Sequence, residues 1–464
     1  MLQSAEKCVD EASDDTMKLY RENARLSKEI SKAEITCDNS IEIAYSEKYG
    51  NHLIAARDIK PGEILVVEKT FSTLHPEKSY AYCAHCTSFL WEMVPCETCS
   101  NICFCSEKCK SEAWEQYHDV ECTISVFLLL FHKGAKTLHP QVGLKMFITA
   151  IRQAGSIQVL RNSLESLEEC KRKFIDFSEN GKYIDYRHVY ALSSKNFNEL
   201  EENFVCYWST INLFILAKFP SPVRKFFTFQ NFNPAKLMKN SDFLFLGSLL
   251  LRFCAISATH CTQAFKVEHD MRHPIDTQRC LMTGCCTVSI AFGVRSSLVP
   301  PSCVPNAGRT VIENNKIILY AIQPIKKGAQ ILRSGGLSIF QDTPKYMRQE
   351  AIRELTGSDC DCQACAENWP VLDLLANPYE GFPYLSPEES DVRREIESTL
   401  MQFGDLDTLS AKKISKFSKI VEDMVGRSPL PSKLTALAIN CLYGLIDVSH
   451  GFQNKPRVPH ECIT

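Results

Sequence analysis

The sequence predicts an α+β fold in which two β-rich regions enclose a cysteine-dense segment and a helical insert. Residues 50–71 contain two short runs of β-forming side chains around Lys60-Pro61-Gly62, a pattern that predicts a hairpin. Strand-like runs return at 307–321 and 330–332. Between the two regions, a helical stretch from Cys122 to about Leu251 is long enough to form a separate unit. We therefore expect strands from before and after the insert to form one β-rich scaffold.

Composition predicts a soluble intracellular protein. The chain has 464 residues, is 45% hydrophobic and carries a formal net charge of −3, so nothing favours direct binding to nucleic acid or to an anionic membrane. The opening segment 1–15 is acidic and lacks the apolar core of a secretory signal, and the apolar run 126–131 is too short to span a bilayer. We expect the cytoplasm or the nucleus, since no compact basic cluster decides between them.

The two ends of the chain carry helical patterns. Residues 14–33 are polar and helix-favouring, with spaced Met, Leu and Ile, which predicts a helix. The tail from Ser386 onward alternates helical periodicity with turns. Amphipathic helices more often pack into a hydrophobic core than form a docking surface for a partner. The sequence does not decide between these two roles for the tail.

Cysteine is abundant, with 23 residues, and a reducing compartment argues against disulfides. Where cysteines cluster at short spacings, metal binding is the better explanation. Single cysteines outside the clusters are expected to be small buried apolar residues or inert thiols.

Four close pairs of potential zinc ligands follow the first β-rich region. Tetrahedral zinc takes four thiolate or imidazole ligands, and a pair from one turn supplies half a site at little loop-closure cost. Eight ligands therefore predict two closed structural sites, and the spacing disfavours isolated buried or redox cysteines. The pairs are Cys83 with Cys86, Cys96 with Cys99, Cys105 with Cys109, and His118 with Cys122.

A later cluster supplies three more ligands, at Cys360, Cys362 and Cys365. Three ligands leave a structural zinc site incomplete, and Cys303 is the candidate for the fourth position. Unligated cysteines remain the alternative, because Cys303 is remote in sequence.

These motifs resemble the SMYD family of SET and MYND proteins over about 43–370. The segment FCSEKCKSEAWEQYHDVEC is similar to a MYND finger, and the order of hairpin, finger, insert, Ser-Cys-x-Pro-Asn and Cys-x-Cys-x2-Cys matches the family. The ending CDCQACAENWP is similar to the branch whose longer members carry tetratricopeptide repeats, and an insect msta-like member of it is expected.

The resemblance implies three zinc ions, two in an interleaved finger and one in a post-SET site. The first finger zinc would take Cys83, Cys86, Cys105 and Cys109, and the second would take Cys96, Cys99, His118 and Cys122. The post-SET zinc would take Cys303, Cys360, Cys362 and Cys365, while Cys103 is left over.

The family order also divides the chain into parts of an α+β, SET-type β-fold that is split by the finger and the insert. The expected parts are an N-terminal helical segment (1–40), the first SET part (41–82), the MYND finger (83–122), a helical insert (123–250), the SET core (251–340), a post-SET zinc segment (341–370) and a C-terminal helical region (371–464).

SET enzymes resembling this chain transfer a methyl group from S-adenosylmethionine to a lysine amine inside a dry channel. The family's cofactor segment Gly-Asn-Gly-Leu corresponds to Gly50-Asn51-His52-Leu53, so Gly50 and Asn51 are the expected cofactor residues. His52 replaces a glycine where the backbone should approach the cofactor closely.

Other family positions depart from the pattern. Pro300 and Pro301 replace the asparagine and histidine that contact the cofactor, and prolines offer neither a polar side chain nor an amide N–H. Gly335 stands where the catalytic tyrosine is expected, so no catalytic residue is assigned. Thr356 and Ser358 replace two aromatic residues of the lysine channel and the adenine site, and Cys261 aligns with another expected asparagine.

The losses predict a degenerate methyltransferase that acts through protein–protein interaction in transcriptional or chromatin regulation. MYND fingers in the proteins it resembles bind proline-rich peptides of transcriptional co-regulators, which are the expected partners. The alternative is an active lysine methyltransferase for histone or non-histone proteins. S-adenosylmethionine binding separates the two.

Overall fold

The computed structural model describes most of the chain between residues 36 and 450. The predicted helix at 14–33 lies outside the described residues. The described ranges are 36–37, 39–74, 82–88, 90, 92–99, 102–132, 139–169, 184–194, 199–219, 222–227, 232–267, 285–312, 315–335, 343–371, 387–402 and 411–450.

A six-stranded sheet joins segments from both sides of the insert. Its spatial order is β1-β4-β12-β11-β13-β10, with β10 parallel to β13 and β11 antiparallel to β12. The central runs ILVVEK and KIILYA are almost continuously apolar, as in strands that are covered on both faces. The strands are β1 Thr36–Cys37, β4 Ile64–Lys69, β10 Pro301–Ser302, β11 Ala307–Ile312, β12 Lys316–Ala321 and β13 Arg333–Ser334.

The predicted hairpin around Lys60-Pro61-Gly62 is wrong. The strand before the turn, β3 (Gly50–Ala55), pairs with β2 (Ile41–Ser46) in a separate two-stranded sheet, whereas β4 pairs with β12. Gly62 adopts the positive φ of 84° that a turn requires, but its N–H donates to Ala321 O at 2.8 Å. The turn therefore packs on the later β-rich region, and long-range pairing overrides the local signal.

Two smaller sheets complete the β structure. A three-stranded sheet has the order β5-β9-β8, and a short ribbon in the finger pairs β6 with β7. The strands are β5 Ser72–Leu74, β6 Val94–Pro95, β7 Cys103–Phe104, β8 Thr262–Val267 and β9 Cys285–Phe292.

The predicted helical stretch is present and continues beyond Leu251 to His260. Its helices pack with the first SET strands and the finger in one hydrophobic core. The helices through the post-SET segment are α1 Glu107–Ala113, a π-helical turn Trp114–His118, α2 Asp119–His132, α3 His139–Ala154, α4 Ile157–Glu169, α5 Tyr186–Tyr190, α6 Glu199–Lys218, α7 Pro234–Leu237, α8 Ser241–His260, α9 Lys345–Thr356 and α10 Gln363–Ala366, with short 3-10 turns at Arg224–Phe226 and Ser296–Leu298.

Helix α8 was not found by looking for unbroken apolar runs, because polar residues interrupt its apolar sequence. Among the described helices, Ser241–His260 is long and apolar enough to cross a membrane, with a mean hydropathy of 1.5 over an 18-residue window. Within the fold, 61% of that window is buried, because the helix packs beside α3 and α6 in the insert. Core helices that are apolar all round pass the same test.

Two arginines of the six-stranded sheet bind the C-terminus of α8. Arg309 donates to His260 O and Cys261 O at 2.9 Å each, and Arg333 donates to Thr259 O at 2.9 Å. These carbonyls have no partner within the helix, and cations near a helix C-terminus interact favourably with its dipole. The arginines thereby join the insert to the sheet.

The finger is attached to the sheet at the β11–β12 turn. Asn315, with a φ of 56°, donates its N–H to Cys86 O at 3.0 Å and its side-chain amide to His85 O. On the insert side, buried Lys145 lies 3.9 Å from the centroid of the Tyr117 ring and donates to Thr73 O at 2.9 Å. The finger is therefore part of the core.

Three C-terminal helices form a second core against the same sheet. They are α11 Pro387–Gln402, α12 Ala411–Arg427 and α13 Lys433–His450. Their apolar side chains, including Phe417 and Leu442, cluster with Ile318 and Tyr320 of β12. Gly308 allows α13 to approach, because a Cβ there would lie 2.6 Å from the Tyr443 ring. The tail thus builds a core.

Asp447 in α13 should make stability depend on pH. Burial raises its pKa to about 6, partly opposed by a hydrogen bond to Thr310, with Tyr443, Tyr320 and Arg309 nearby. The folded state therefore binds this proton more tightly than the unfolded chain, so its stabilising contribution is complete below about pH 4 and is lost as pH rises through about 6. Asp447→Asn should abolish that loss, which is at most about 3 kcal/mol.

Urea unfolding from pH 4 to 7 measures the effect as the difference between the variant and the wild-type protein. Asp391→Asn is the control, since that side chain is 70% exposed on α11. Parallel curves for the wild type and Asp447→Asn would contradict the assignment.

Candidate metal centres and SET cavity

The first metal-binding group combines the finger's first turn with the start of α1. The Sγ atoms of Cys86 and Cys105 lie 3.5 Å apart, as do those of Cys105 and Cys109. Ser106 caps α1 by accepting from Cys109 N at 3.2 Å, which holds the last two ligands in one turn. Cys83 completes the group, whose four sulfur atoms all lie within 4.8 Å of one another.

The second group uses the π-helical turn. Cys96 Sγ lies 3.8 Å from Cys122 Sγ, and Cys99 Sγ lies 3.7 Å from His118 Nε2. Burial, and then Lys145, lowers the pKa of His118 to about 4, which keeps the imidazole neutral, as a metal ligand must be. The structure therefore brings together the two interleaved sets expected from the resemblance.

The third group joins two distant segments. Cys303 Sγ, completely buried after β10, lies 3.5 Å from Cys365 Sγ in α10. Cys360 and Cys362 complete the set within the same 4.8 Å limit. Cys303, the candidate that is remote in sequence, thus lies where the group needs its fourth ligand.

All three groups fit zinc by donor type and spacing. A tetrahedral ion with bonds of about 2.3 Å to sulfur places its ligands about 3.8 Å apart, close to the observed separations of 3.5–3.8 Å. Each group supplies four protein ligands and leaves no position for a substrate or a water molecule. These centres can hold structure and have no catalytic position to offer.

A cavity of about 710 Å³ opens beside the third group, between the insert, the SET core and the post-SET segment. It brings together residues from three of the family motifs for the cofactor and lysine sites, whereas Gly335 and Cys261 lie outside its wall. The sequence-predicted positions in its wall are Gly50, Asn51, Pro300, Pro301, Thr356 and Ser358.

The cavity wall lacks side-chain contacts that the family motif supplies to S-adenosylmethionine. Pro300 and Pro301 supply only backbone carbonyls, and Pro300 O already accepts from Arg333 N at 2.9 Å. Thr356 and Ser358 bond to each other's backbone or side chain at the end of α9 and present no aromatic ring. His52 is buried outside the cavity wall, so the departure at that position does not narrow the cavity.

Gly335 lies outside the cavity, in a space that another side chain fills. A Cβ at Gly335 would stand 3.0 Å from Cδ1 and 3.1 Å from Cγ1 of Ile352, and 3.3 Å from Cβ of Pro301. Ile352 is 3% exposed, packs among the cysteines of the third metal group and also lines the cavity. A side chain at position 335 would therefore have to displace Ile352 or Pro301.

Sequence reasoning missed residues that shape the cavity. Tyr49 Oη donates to Asp361 Oδ1 at 3.0 Å, and Lys48 forms an ion pair with the same carboxylate. Because Asp361 lies between two metal-binding cysteines, the third group is tied to the β2–β3 turn. Arg333 was also missed. Lys48 and Tyr49 directly precede the Gly50-Asn51 motif, and this position could have indicated that they lie near the cavity. Nothing in the sequence indicated the role of Arg333.

A family model described as "SET domain" matches residues 50–334. The chain belongs to the SET-domain family. Its similarity to Protein-lysine N-methyltransferase SMYD4 of Pongo abelii is 26% identity over 405 residues, covering 75% of this SET protein and 48% of that relative. A SET and MYND domain-containing protein of Dictyostelium discoideum is 24% identical over 355 residues, covering 73% and 85%.

SMYD4 of Gallus gallus matches at 34% identity over 125 residues, covering 22% of this SET protein and 17% of that chain. This SET protein thus spans about half the length, or less, of the SMYD4 relatives it matches. The similarities confirm the predicted SMYD family, while the insect msta-like assignment stays a prediction. The crystal structure of the SET domain of LSMT bound to lysine and AdoHcy aligns at 10% identity over 92% of this chain and 89% of that one, with a TM-score of 0.27, which supports no inference about ligands.

Cys105→Ser should remove one finger zinc and loosen the finger, because Cys105 closes two of the measured ligand contacts and structural zinc contributes folding free energy directly. Zinc content after mild purification and protease resistance of the finger are the measurements.

Cys103→Ser is the matched control, since Cys103 is two residues away, equally a cysteine, and outside all three groups. It should leave the zinc content unchanged. Equal zinc content and equal protease resistance in Cys105→Ser and the wild type would show that the ligand set is wrong.

Proposed function

We propose that this SET protein holds three structural zinc ions and acts as a protein-interaction scaffold with a degenerate methyltransferase site. The observation that carries the proposal is the close packing at Gly335, where a Cβ would lie 3.0–3.3 Å from the side chains of Ile352 and Pro301, so that a catalytic tyrosine would have to displace them. Losing an oriented catalytic group commonly costs two to four orders of magnitude in rate. Ile352 is also packed among the cysteines of the post-SET group.

The proposal is supported by the contrast between the scaffold and the cofactor positions. Twelve potential metal ligands form three groups of four, and within each group the ligand atoms lie within 4.8 Å of one another. The glycine turn persists, with Gly50 at a φ of 63°. In the same cavity, Pro300 and Pro301 withhold the side-chain contacts that the resembling motif supplies. Selection for the fold without selection for the chemistry leaves this pattern.

Protein partners are proposed to dock on the finger. Trp114 is 43% exposed and stands edge-on to His118, with a ring-centroid distance of 5.9 Å, and Met93 is 60% exposed. An exposed aromatic ring held by a metal-bound residue is a suitable platform for an extended, proline-rich segment, whose ordering cost is low. The cytoplasm and the nucleus are the proposed compartments, and regulation of transcription or chromatin is the proposed setting.

An active lysine methyltransferase is the second candidate. It is favoured by the open cavity that retains Gly50 and Asn51, and by the relatives named as protein-lysine N-methyltransferases. In that case another hydroxyl or carbonyl would have to orient the lysine amine.

Methyl transfer decides between the candidates. With labelled S-adenosylmethionine and a mixture of histone and non-histone proteins, the wild-type chain should transfer no methyl group, and calorimetry should show no binding of the cofactor. Gly335→Tyr should restore nothing, because the cofactor contacts at Pro300 and Pro301 stay absent. Measurable transfer by the wild type, at a rate that Gly335→Tyr leaves unchanged, would overturn the proposal.

The packing of Ile352 against Gly335 can be tested separately by measuring stability. Gly335→Ala should lower the free energy of unfolding by about 1–3 kcal/mol, since a buried Cβ would overpack Ile352. Ile352→Ala in the same chain should relieve part of that loss, so the two changes should be non-additive. The control is Gly426→Ala, because a Cβ at this α12 position meets nothing within 4 Å. Additive effects in a urea titration would show that the space at Gly335 is open.

A further inference from the structure

Helix α6 of the insert carries an apolar stripe on its solvent side. Phe204 is 40% exposed and Tyr207 is 67% exposed. Ile211, Phe214 and Lys218 follow at helical spacing, so these five positions share one face of the helix over about 21 Å. Ile211 and Phe214, in the middle of the stripe, are half-buried. Apolar side chains in a row on the surface of a soluble protein mark a contact with another molecule.

The connector between α6 and α8 widens this stripe. Phe232 and Phe243 both pack against the Phe214 ring, at centroid distances of 6.1 Å and 5.0 Å, so the connector begins and ends at the stripe. Five of the eleven large apolar side chains that are exposed in the described part of the chain lie on α6, on the connector or at the start of α8, so they form one surface. This surface, the insert patch, consists of Phe204, Tyr207, Phe232, Met238 and Leu244.

The insert patch is flanked by positive charge, although the whole chain carries a formal net charge of −3. Residues 203–241 contain five lysines and arginines and no aspartate or glutamate. Lys218 Nζ lies 5.7 Å from the centroid of the Phe232 ring. Lys225, Lys236 and Lys239 are exposed, and within the part of the chain that the structure describes they form no ion pair. The connector therefore offers cations to a partner.

The acidic groups around the patch do not cancel this charge. Asp242, at the start of α8, pairs with Arg161 of α4 at 2.8 Å, and Glu165 lies one turn further along α4. Together with residues 203–241, these make six basic and two acidic residues. The acidic residues 199–202 begin α6, about 24 Å of helix before Lys218. The positive charge is thus confined to the connector end of the patch.

This charge distribution selects the class of partner. A nucleic acid or an anionic bilayer presents negative charge along its whole length, so it would meet the acidic start of α6 as well as the lysines. A peptide helix can place its carboxylates at one end only. An apolar stripe on a helical surface is also what an amphipathic helix contacts through residues spaced i, i+3, i+4 and i+7.

We propose that the insert patch binds an amphipathic helical segment of a partner protein, with its apolar residues on the stripe and its acidic residues against the lysines of the connector. The patch includes no residue of the finger and no residue of the cavity wall. The proposal therefore depends neither on docking at the finger nor on the loss of methyl transfer.

Fluorescence anisotropy of the full chain with a labelled acidic peptide tests the proposal. The probe has about 18 residues, or about 27 Å of helix, with Leu and Phe at the i, i+3, i+4 and i+7 positions and Asp or Glu in its other positions toward one end. We expect saturable binding that weakens as ionic strength rises. A scrambled peptide of the same composition should bind at least about tenfold more weakly, because its apolar residues no longer share one face.

Two variants test the two parts of the surface. Tyr207→Ser should weaken binding of the probe at least about tenfold, since an exposed aromatic ring is a common centre of binding energy. Lys236→Glu combined with Lys239→Glu should have a similar effect and remove most of the salt dependence. All three side chains are exposed, so the variants should fold normally. Tyr346→Ser on α9 and Lys419→Glu on α12 are the matched controls, because both side chains are exposed and lie outside the patch.

The outcomes separate this proposal from the docking surface on the finger. Absence of saturable binding, equal affinity for the scrambled peptide, or equal affinity of Tyr207→Ser and the wild type would overturn the insert patch. Binding of single-stranded RNA or of phosphatidylserine vesicles without binding of the peptide would overturn it in favour of those partners. Peptide binding that is lost in Trp114→Ala and kept in Tyr207→Ser would overturn the insert patch and support the finger. The reverse pattern supports the insert patch and leaves the proposed scaffold function in place.

Discussion

The meeting of four cysteine side chains from segments far apart in sequence is the constraint on which the rest of this structure depends. Cys303 follows a strand of the SET sheet, whereas Cys360, Cys362 and Cys365 belong to the segment after α9. One metal ion bound by all four would hold both segments in one place. The same segment contains Asp361, whose carboxylate accepts a hydrogen bond from Tyr49 in the β2–β3 turn. Cys360 and Cys362 of this group line the cavity beside that contact.

The finger is held to the scaffold by ordinary hydrogen bonds and packing as well as by its metal groups. Asn315 bonds to two carbonyls of the first ligand turn, and Lys145 stacks on Tyr117 in the π-helical turn that presents His118. A finger mounted in this way presents its exposed face in a fixed orientation. This fits a binding module whose affinity comes from preorganisation.

Under the proposed function, the cavity has lost one chemistry while its shape persists. Backbone geometry at Gly50 and the strand pairing of β10 with β13 are set by the fold, so they survive substitutions of side chains. Under the same proposal, the side chains at positions 300, 301 and 335 are free to change, because turnover is no longer selected.

The sequence by itself determined the two finger groups of potential metal ligands, the helical insert and the β11–β12 strands, because these depend on short spacings and local patterns. Tertiary structure alone decided that Cys303 joins the last group, that β4 pairs with β12 instead of β3, and that Ile352 packs against Gly335. Sheet partners, cavities and burial depend on contacts between residues far apart in the chain, and no local pattern encodes which distant residues will meet.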